Sequence, residues 1–233
     1  MDGKPGLRQR KKDATRSRLI LTALELFEEH GFDNVSVAEI AEAAEVSKKT
    51  VFNYFGIKED LILGAGEHHQ REPAAVVRER PSEVSVHAAM RDYLRTALDE
   101  RQPFTGLNDN PVVLRIQQLV RNTPQLAVRY YAQQMETRRL LAEALMEEGS
   151  SRFSAFLVAA QILSAQEVVV GENVRRITEG ETPDEVYPDA VRAAEHAFHL
   201  LENGLGGFDR ELRHAAPGSP RTAAPDPSNT GPE

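Results

Sequence analysis

The chain has no cysteine, which excludes a disulfide framework, a zinc–thiolate centre and a cysteine nucleophile. It has no glycine-rich phosphate loop and no nucleophile elbow, so its sequence offers no support for catalysis. Nor do the histidines suggest a metal site. Glu195-His196-Ala197-Phe198-His199 spaces its imidazoles at i and i+3 rather than the i and i+4 of a zinc-protease helix, and Glu67-His68-His69 has no spaced third ligand. No cofactor is expected. Long apolar runs are also missing. The weakly charged stretch 153–171 is broken by Gln161, Gln166 and Glu167, which fits a buried helix better than a membrane span. The basic N-terminus is not followed by an apolar segment, so a signal peptide is not expected and the protein reads as cytoplasmic, without a membrane partner.

Lysine is absent from most of the chain. All six lysines (4, 11, 12, 48, 49 and 58) lie in the first quarter, and every later cation is an arginine. The formal net charge of the 233 residues is −8, which on average argues against a nucleic-acid partner. That average hides an asymmetry: residues 1–18 carry seven basic and two acidic side chains, a net of +5, leaving −13 on the rest. A basic front end on an acidic body is the feature to explain.

Between two polar tails the pattern is helical throughout, with no sustained period-two alternation. Helices are expected at about 14–30, 37–44, 47–55, 58–71, 83–101, 111–121, 124–148, 152–179 and 184–205, about nine in all, separated by glycine and proline breaks. The segment 103–111 is the one substantial internal loop. An all-α chain follows, divided into a flexible basic arm (1–13), a helix-turn-helix head (14–62), a larger helical body (63–206) and a Pro-, Ser- and Gly-rich disordered tail (207–233).

The head carries the most specific signals. Gly31 suits a left-handed helix stop, with Phe32 contacting Phe27. Ser36 and Glu39 have the spacing of a capping box, with Val35 and Ile40 as its staple, and Ser47 can cap the next helix with Val46 and Val51. Two short helices so arranged, with Ala41 small enough to let them approach, form a helix-turn-helix. The outer face of the second helix presents Ser47, Lys48, Lys49, Thr50, Asn53 and Tyr54, donors and cations suited to a major groove and its phosphates.

These residues resemble the DNA-binding domain of the tetracycline-repressor (TetR) family of bacterial transcription regulators. The resemblance runs from Thr15 to Ile62. It includes Ala23 to Phe32, Ile40-Ala41, Val46-Ser47-Lys48, Thr50, Tyr54-Phe55 and Lys58-Glu59-Asp60-Leu61. It implies a three-helix reading head with Thr15, Arg16, Ser36, Ser47, Lys48, Lys49, Thr50, Asn53, Tyr54 and Lys58 at DNA, Thr50, Tyr54 and Lys58 touching phosphates. It also implies a C-terminal effector-binding and dimerising domain, and a repressor released from a palindromic operator by a small molecule. Glu45 and Lys49 stand where glycine is common in the family, and Phe52 where tyrosine is frequent. A non-glycine residue at positive φ in the turn would cost about 1 kcal/mol.

In the acidic body, Tyr187, Val191, Ala194, Phe198, Leu201 and Leu205 form one stripe of the last helix, and Ala190, Ala193, Ala197 and Leu200 a second. Two apolar faces exceed one core's need, so the last two helices are expected to build a homodimer interface through Val191, Ala194, Ala197, Phe198 and Leu201. Polar residues among apolar neighbours, namely Gln117, Tyr130, Tyr131, Gln161, Ser164 and Glu167, are the effector-site candidates. Glu167 stands out as a carboxylate that would need a partner if buried. Asn108 and Asn110 in the long loop are read either as gate residues or as ordinary turn residues.

Overall fold

The computed structural model describes residues 6–66 and 68–204. These form ten α-helices and no strand. The tail expected from residue 207 lies outside the described residues.

The head comprises α1 (Leu7–His30), α2 (Val37–Ala43), α3 (Lys48–Tyr54) and the short α4 (Asp60–Leu63). Its core is Leu19, Ala23, Leu24 and Phe27 of α1 packed on Phe32, Val35, Ile40, Val51, Phe55 and Leu61. The body comprises α5 (Glu72–Glu79), α6 (Val86–Asp99), α7 (Pro111–Asn122), α8 (Pro124–Glu147), α9 (Arg152–Thr178) and α10 (Pro183–Asn203). A second core joins Met90, Leu94 and Leu98 of α6 to Leu141 and Leu145 of α8, Ile162 and Val169 of α9, and Val186 and Phe198 of α10. The outer helices are tied by carboxylate–guanidinium pairs such as Arg78–Glu147 at 2.7 Å.

Two segments depart from the sequence expectation. The helix expected at 58–71 is instead α4, two 3₁₀ turns at Gly64–Gly66 and His68–Gln70, and then α5. Gly64, Gly66 and Pro73 lower helix propensity just where the long helix would have to continue. The segment 1–13, expected to be a flexible arm, is helical from Leu7 onward as the start of α1.

The loop after α6 is anchored to α9. Gly106 has φ 77° and packs so closely on α9 that a Cβ would lie 2.8 Å from the Val170 carbonyl oxygen. Beside it, buried Asn173 donates to the Thr105 carbonyl at 2.9 Å. Asn110 accepts from the Val112 N–H as the α7 cap, and Asn108 accepts from the Asn110 N–H. Both asparagines are turn-forming residues.

Candidate nucleic-acid interface

Local sequence positions the two short helices as expected. Ser36 accepts from the Glu39 N–H at 3.2 Å, and Glu39 returns the bond to the Ser36 N–H at 2.7 Å. That reciprocal bonding is a complete capping box, and it holds the Glu39 carboxyl below its usual range. Ser47 accepts from the Thr50 N–H at 3.0 Å. Between the helices Glu45 adopts φ 55°, the strained turn that glycine would occupy freely. Gly31 has positive φ but ψ 146°. The stop of α1 is therefore an extended glycine turn, not the left-handed one expected, and Phe27 and Phe32 still meet with ring centroids 4.8 Å apart.

On α3, Ser47, Lys48, Lys49, Phe52 and Asn53 are exposed while Val51 is buried. Lys48 lies 6.0 Å from the Phe52 ring. Thr50 and Tyr54 are half-buried, and the Thr50 hydroxyl lies 2.8 Å from that of Ser47. Among the described residues, no lysine or arginine before residue 71 forms an ion pair with a carboxylate, whereas the arginines beyond it supply nearly all such pairs.

Besides the capping serines, Lys58, Arg16 and Thr15, also expected at DNA, make hydrogen bonds within the head. The Lys58 ammonium donates to the carbonyl oxygens of Phe32 at 2.7 Å and Val35 at 3.1 Å, and sits 4.1 Å from the Phe32 ring centroid. It braces the turn leading into α2. Arg16 donates to the Gly64 carbonyl at 3.1 Å and stacks over Phe55 at 4.8 Å, fastening α1 to the end of α3 and to α4. Thr15 donates to the Lys11 carbonyl within α1. A charged residue at the family's contact position gave no signal in sequence that its partners are carbonyls.

Head and body meet along α7 and the start of α8. Val112, Ile116, Leu119 and Val120 pack on the head core, which also includes fully buried Leu126 of α8. Three polar straps accompany them. Arg115 of α7 grips Glu28 through Nε at 3.0 Å and Nη2 at 2.5 Å, Gln125 donates to Asp33 at 2.9 Å, and Arg129 reaches Asp60 at 3.3 Å.

The body departs further from the residues proposed for it by sequence. Gln161, Ser164 and Glu167 are exposed on the outer face of α9, Tyr130 and Tyr131 are exposed on α8, and Gln117 is half-buried on α7. They do not line a common interior. Glu167 in particular is not a buried carboxylate. Two clefts lie elsewhere, one of about 370 Å³ between Leu114, Gln118 and Arg121 of α7 and Ile177 of α9, the other of about 460 Å³ beside Arg101, Asp109 and Asp184.

The interior polar groups come from residues the sequence reading did not select. Tyr93 donates to Glu72 at 2.6 Å, and His69 Nδ1 lies 2.8 Å from the same carboxylate. Burial and then the Glu72 partner push the Tyr93 phenol far above its ordinary value. Phe104 stacks on Tyr93 with centroids 5.9 Å apart. Gln133 is buried with its Nε2 unpaired, as is Nε2 of Gln166 on α9. Gln166 was visible in the apolar run as an interruption, but its periodicity with Ile162 and Val169 was the signal that it faces inward.

The α10 stripe is divided. Ala194 and Phe198 are buried in their own chain's core, and His87 lies 2.8 Å from the Phe198 carbonyl oxygen. Val191, Ala197 and Leu201 are half-buried. Uncovered apolar surface lies instead on α9, where Phe153 is 77% exposed, Leu157 46% and Val168 72%, and on α8, where Val128 and Tyr131 are exposed.

A capped helix-turn-helix with exposed cations on its second helix, beside an all-helical body, is an arrangement suited to a DNA major groove. Residues 19–65, which lie within the head and the turn after it, match the model of the bacterial regulatory proteins of the tetR family. The chain is 34% identical over 143 residues to the HTH-type transcriptional regulator TcmR of Streptomyces glaucescens, covering 60% of this chain and 63% of that one. It is 29% identical over 132 residues to the HTH-type transcriptional repressor AcnR of Corynebacterium diphtheriae, covering 57% and 62%. These alignments span just under two-thirds of the relatives' lengths. In fold it is similar to the crystal structure of NalD, the secondary repressor of the MexAB-OprM multidrug efflux pump in Pseudomonas aeruginosa. That likeness has a TM-score of 0.51 at 16% identity, covering 79% of this chain and 96% of NalD. The relatives are named as regulators and not as enzymes, in agreement with the sequence reading.

Proposed function

We propose that this protein is a cytoplasmic, ligand-responsive repressor that binds a palindromic operator as a homodimer and leaves it when a small molecule binds the body. The exposed, unpaired Lys48 and Lys49 on a helix fixed by the Ser36 and Ser47 caps carry the reading. A helix so presented enters a major groove, and lysines free of internal partners are available to phosphates. Ser47, Thr50, Asn53 and Tyr54 complete the DNA-facing set. The uncovered apolar face of α9 supports dimerisation, with the half-buried flank Ala193, Ala197 and Leu200 of α10 at its border. The head extends to about residue 63 and the body from there to about residue 204. Repression agrees with the name of the AcnR relative.

An effector acts by preferring the conformation that does not fit DNA. The unpaired amide groups of Gln133 and Gln166 favour a ligand with hydrogen-bond acceptors, and the straps between α7, α8 and the head transmit its binding. The test is selection of bound duplexes from genomic fragments, followed by Lys48→Ala/Lys49→Ala. A palindromic consensus is expected, with weaker binding of the variant to every duplex and a flatter dependence of log K on log salt. Recovery of no consensus, with an unchanged salt slope, refutes the assignment.

A further inference from the structure

The first turns of α1 contain a surface that the helix-turn-helix does not account for. Leu7 to Asp13 are exposed and helical, continuous with the part of α1 that builds the head core. Two local bonds hold this extension in one piece. Gln9 donates to Asp13 at 2.8 Å, one turn on, and Thr15 donates to the Lys11 carbonyl at 3.0 Å. Asp13, the one acid in the extension, is thus engaged with an amide, and among the described residues Arg8, Arg10, Lys11 and Lys12 have no carboxylate partner.

The helical period gives this charge a direction. Arg8, Lys12 and Arg16 succeed one another at i, i+4 on one stripe, which leads on to buried Leu19 and Ala23. Arg16 lies over the ring of Phe55, the residue that ends α3. The stripe therefore runs from the head core, across the C-terminal end of the recognition helix, and out beyond it. At 1.5 Å per residue, Lys12 stands about 6 Å and Arg8 about 12 Å further along than Arg16. A duplex seated against α3 continues past the half-site, and its flanking phosphates are what a cationic surface extending in that direction would meet.

We infer that the N-terminal turns of α1 form a rigid second DNA-contacting surface, with Arg8 and Lys12 pairing phosphates that flank each half-site. Because the surface is a helix continuous with the core, it follows the backbone and does not thread a minor groove as a flexible arm would. It adds affinity and lengthens the protected site without reading bases. Charge complementarity, and continuity with the helix end that borders α3, make double-stranded DNA its partner. The inference rests on the DNA-binding reading above and extends it to contacts outside the half-site.

The experiment measures anisotropy binding of the full-length protein to the selected operator over a range of salt, with and without flanking base pairs. For Arg8→Ala/Lys12→Ala the slope of log K against log salt should flatten by about 0.9 per phosphate lost, thus by about 3 to 4 for two subunits. The variant should bind the flanked duplex no better than the trimmed one, and its melting temperature should match the parent's because both side chains are exposed. A second variant inserts two glycines between Asp13 and Ala14, keeping every charge while breaking the helix, and it should lose the same flanking contribution. An unchanged slope in the double variant overturns the inference. So does full retention of the flanking contribution by the glycine insertion, which would make the segment a flexible arm. Loss of all duplex binding by Lys48→Ala/Lys49→Ala alongside an unchanged slope for Arg8→Ala/Lys12→Ala would leave the DNA-binding reading standing and remove only this one.

Discussion

Replacing Lys58 by methionine separates a brace from a phosphate contact. The ammonium has three N–H donors. Two go to the Phe32 and Val35 carbonyl oxygens, and the ammonium lies 4.1 Å from the centre of the Phe32 ring. Hydrogen bonds from a charged donor contribute about 1.5–3 kcal/mol each, and the ring contact about 0.5–1 kcal/mol more. Against this stands the cost of partly desolvating an ammonium, and methionine keeps most of the apolar stem. A net loss of about 2–3 kcal/mol is therefore expected. In a chain of this size each kcal/mol lowers the melting temperature by about 2–4 °C, so calorimetry should show a fall of about 5–10 °C. The same variant, assayed on operator DNA below its melting range, should keep the parent's salt slope. If instead the melting temperature stays put while the slope flattens by about 0.9 per subunit, Lys58 leaves the carbonyls for a phosphate and the brace is refuted.

The uncovered face of α9 predicts that Val168→Glu yields a monomer of unchanged helicity by light scattering and circular dichroism; a persistent dimer would place the interface elsewhere. Phe198→Ala should act differently, destabilising each chain by about 3–5 kcal/mol as a core cavity, because the ring is fully buried in its own core. Glu45→Gly should raise stability by about 1 kcal/mol through relief of the positive φ, measured by chemical denaturation, where a fall would show the turn unstrained. The capping box also has a pH signature. Because folding lowers the Glu39 pKa, its contribution is complete above the ordinary carboxylate value and is lost as pH falls through the depressed one. Glu39→Gln should therefore differ from the parent near neutrality and converge with it in acid, and a pH-independent difference would show that the carboxylate charge plays no part.

What was legible in the sequence was local. Caps depend on residues three apart, and Ser36, Glu39 and Ser47 behave as their spacing implies, while Glu45 takes the positive φ that the family resemblance implied. The destinations of long side chains were not legible, because Lys58 and Arg16 find backbone carbonyls 26 and 48 residues away. Face assignment in the body was only half legible. Two apolar stripes on α10 announced surplus apolar surface, but which stripe stays uncovered is decided by the packing of α6 and α9. Phe198 went inward, and the open face appeared on α9. Glu167 shows the same limit, since one acid in an apolar run reads identically whether the run is a core or an uncovered interface.

The division between lysine and arginine carries a further step of the argument. Past residue 70 the cations are arginines, and most are locked to acids of their own chain: Arg175 to Glu172 and Glu179, Arg176 to Glu181 and Asp189, Arg139 to Glu136 and Glu143. A planar guanidinium satisfies two carboxylate oxygens at once, which suits a fixed internal pair. Lys11, Lys12, Lys48 and Lys49 are exposed and carry no such pair. A lysine is a mobile point charge on a flexible stem, suited to a phosphate whose position is set by another molecule. The acids locked to these arginines are not available to the head's cations, and the acid left over gives the body a negative field that disfavours a duplex approaching from its side. The same separation that gives the whole chain a charge of −8 leaves one cationic end and thereby fixes the direction from which DNA can approach.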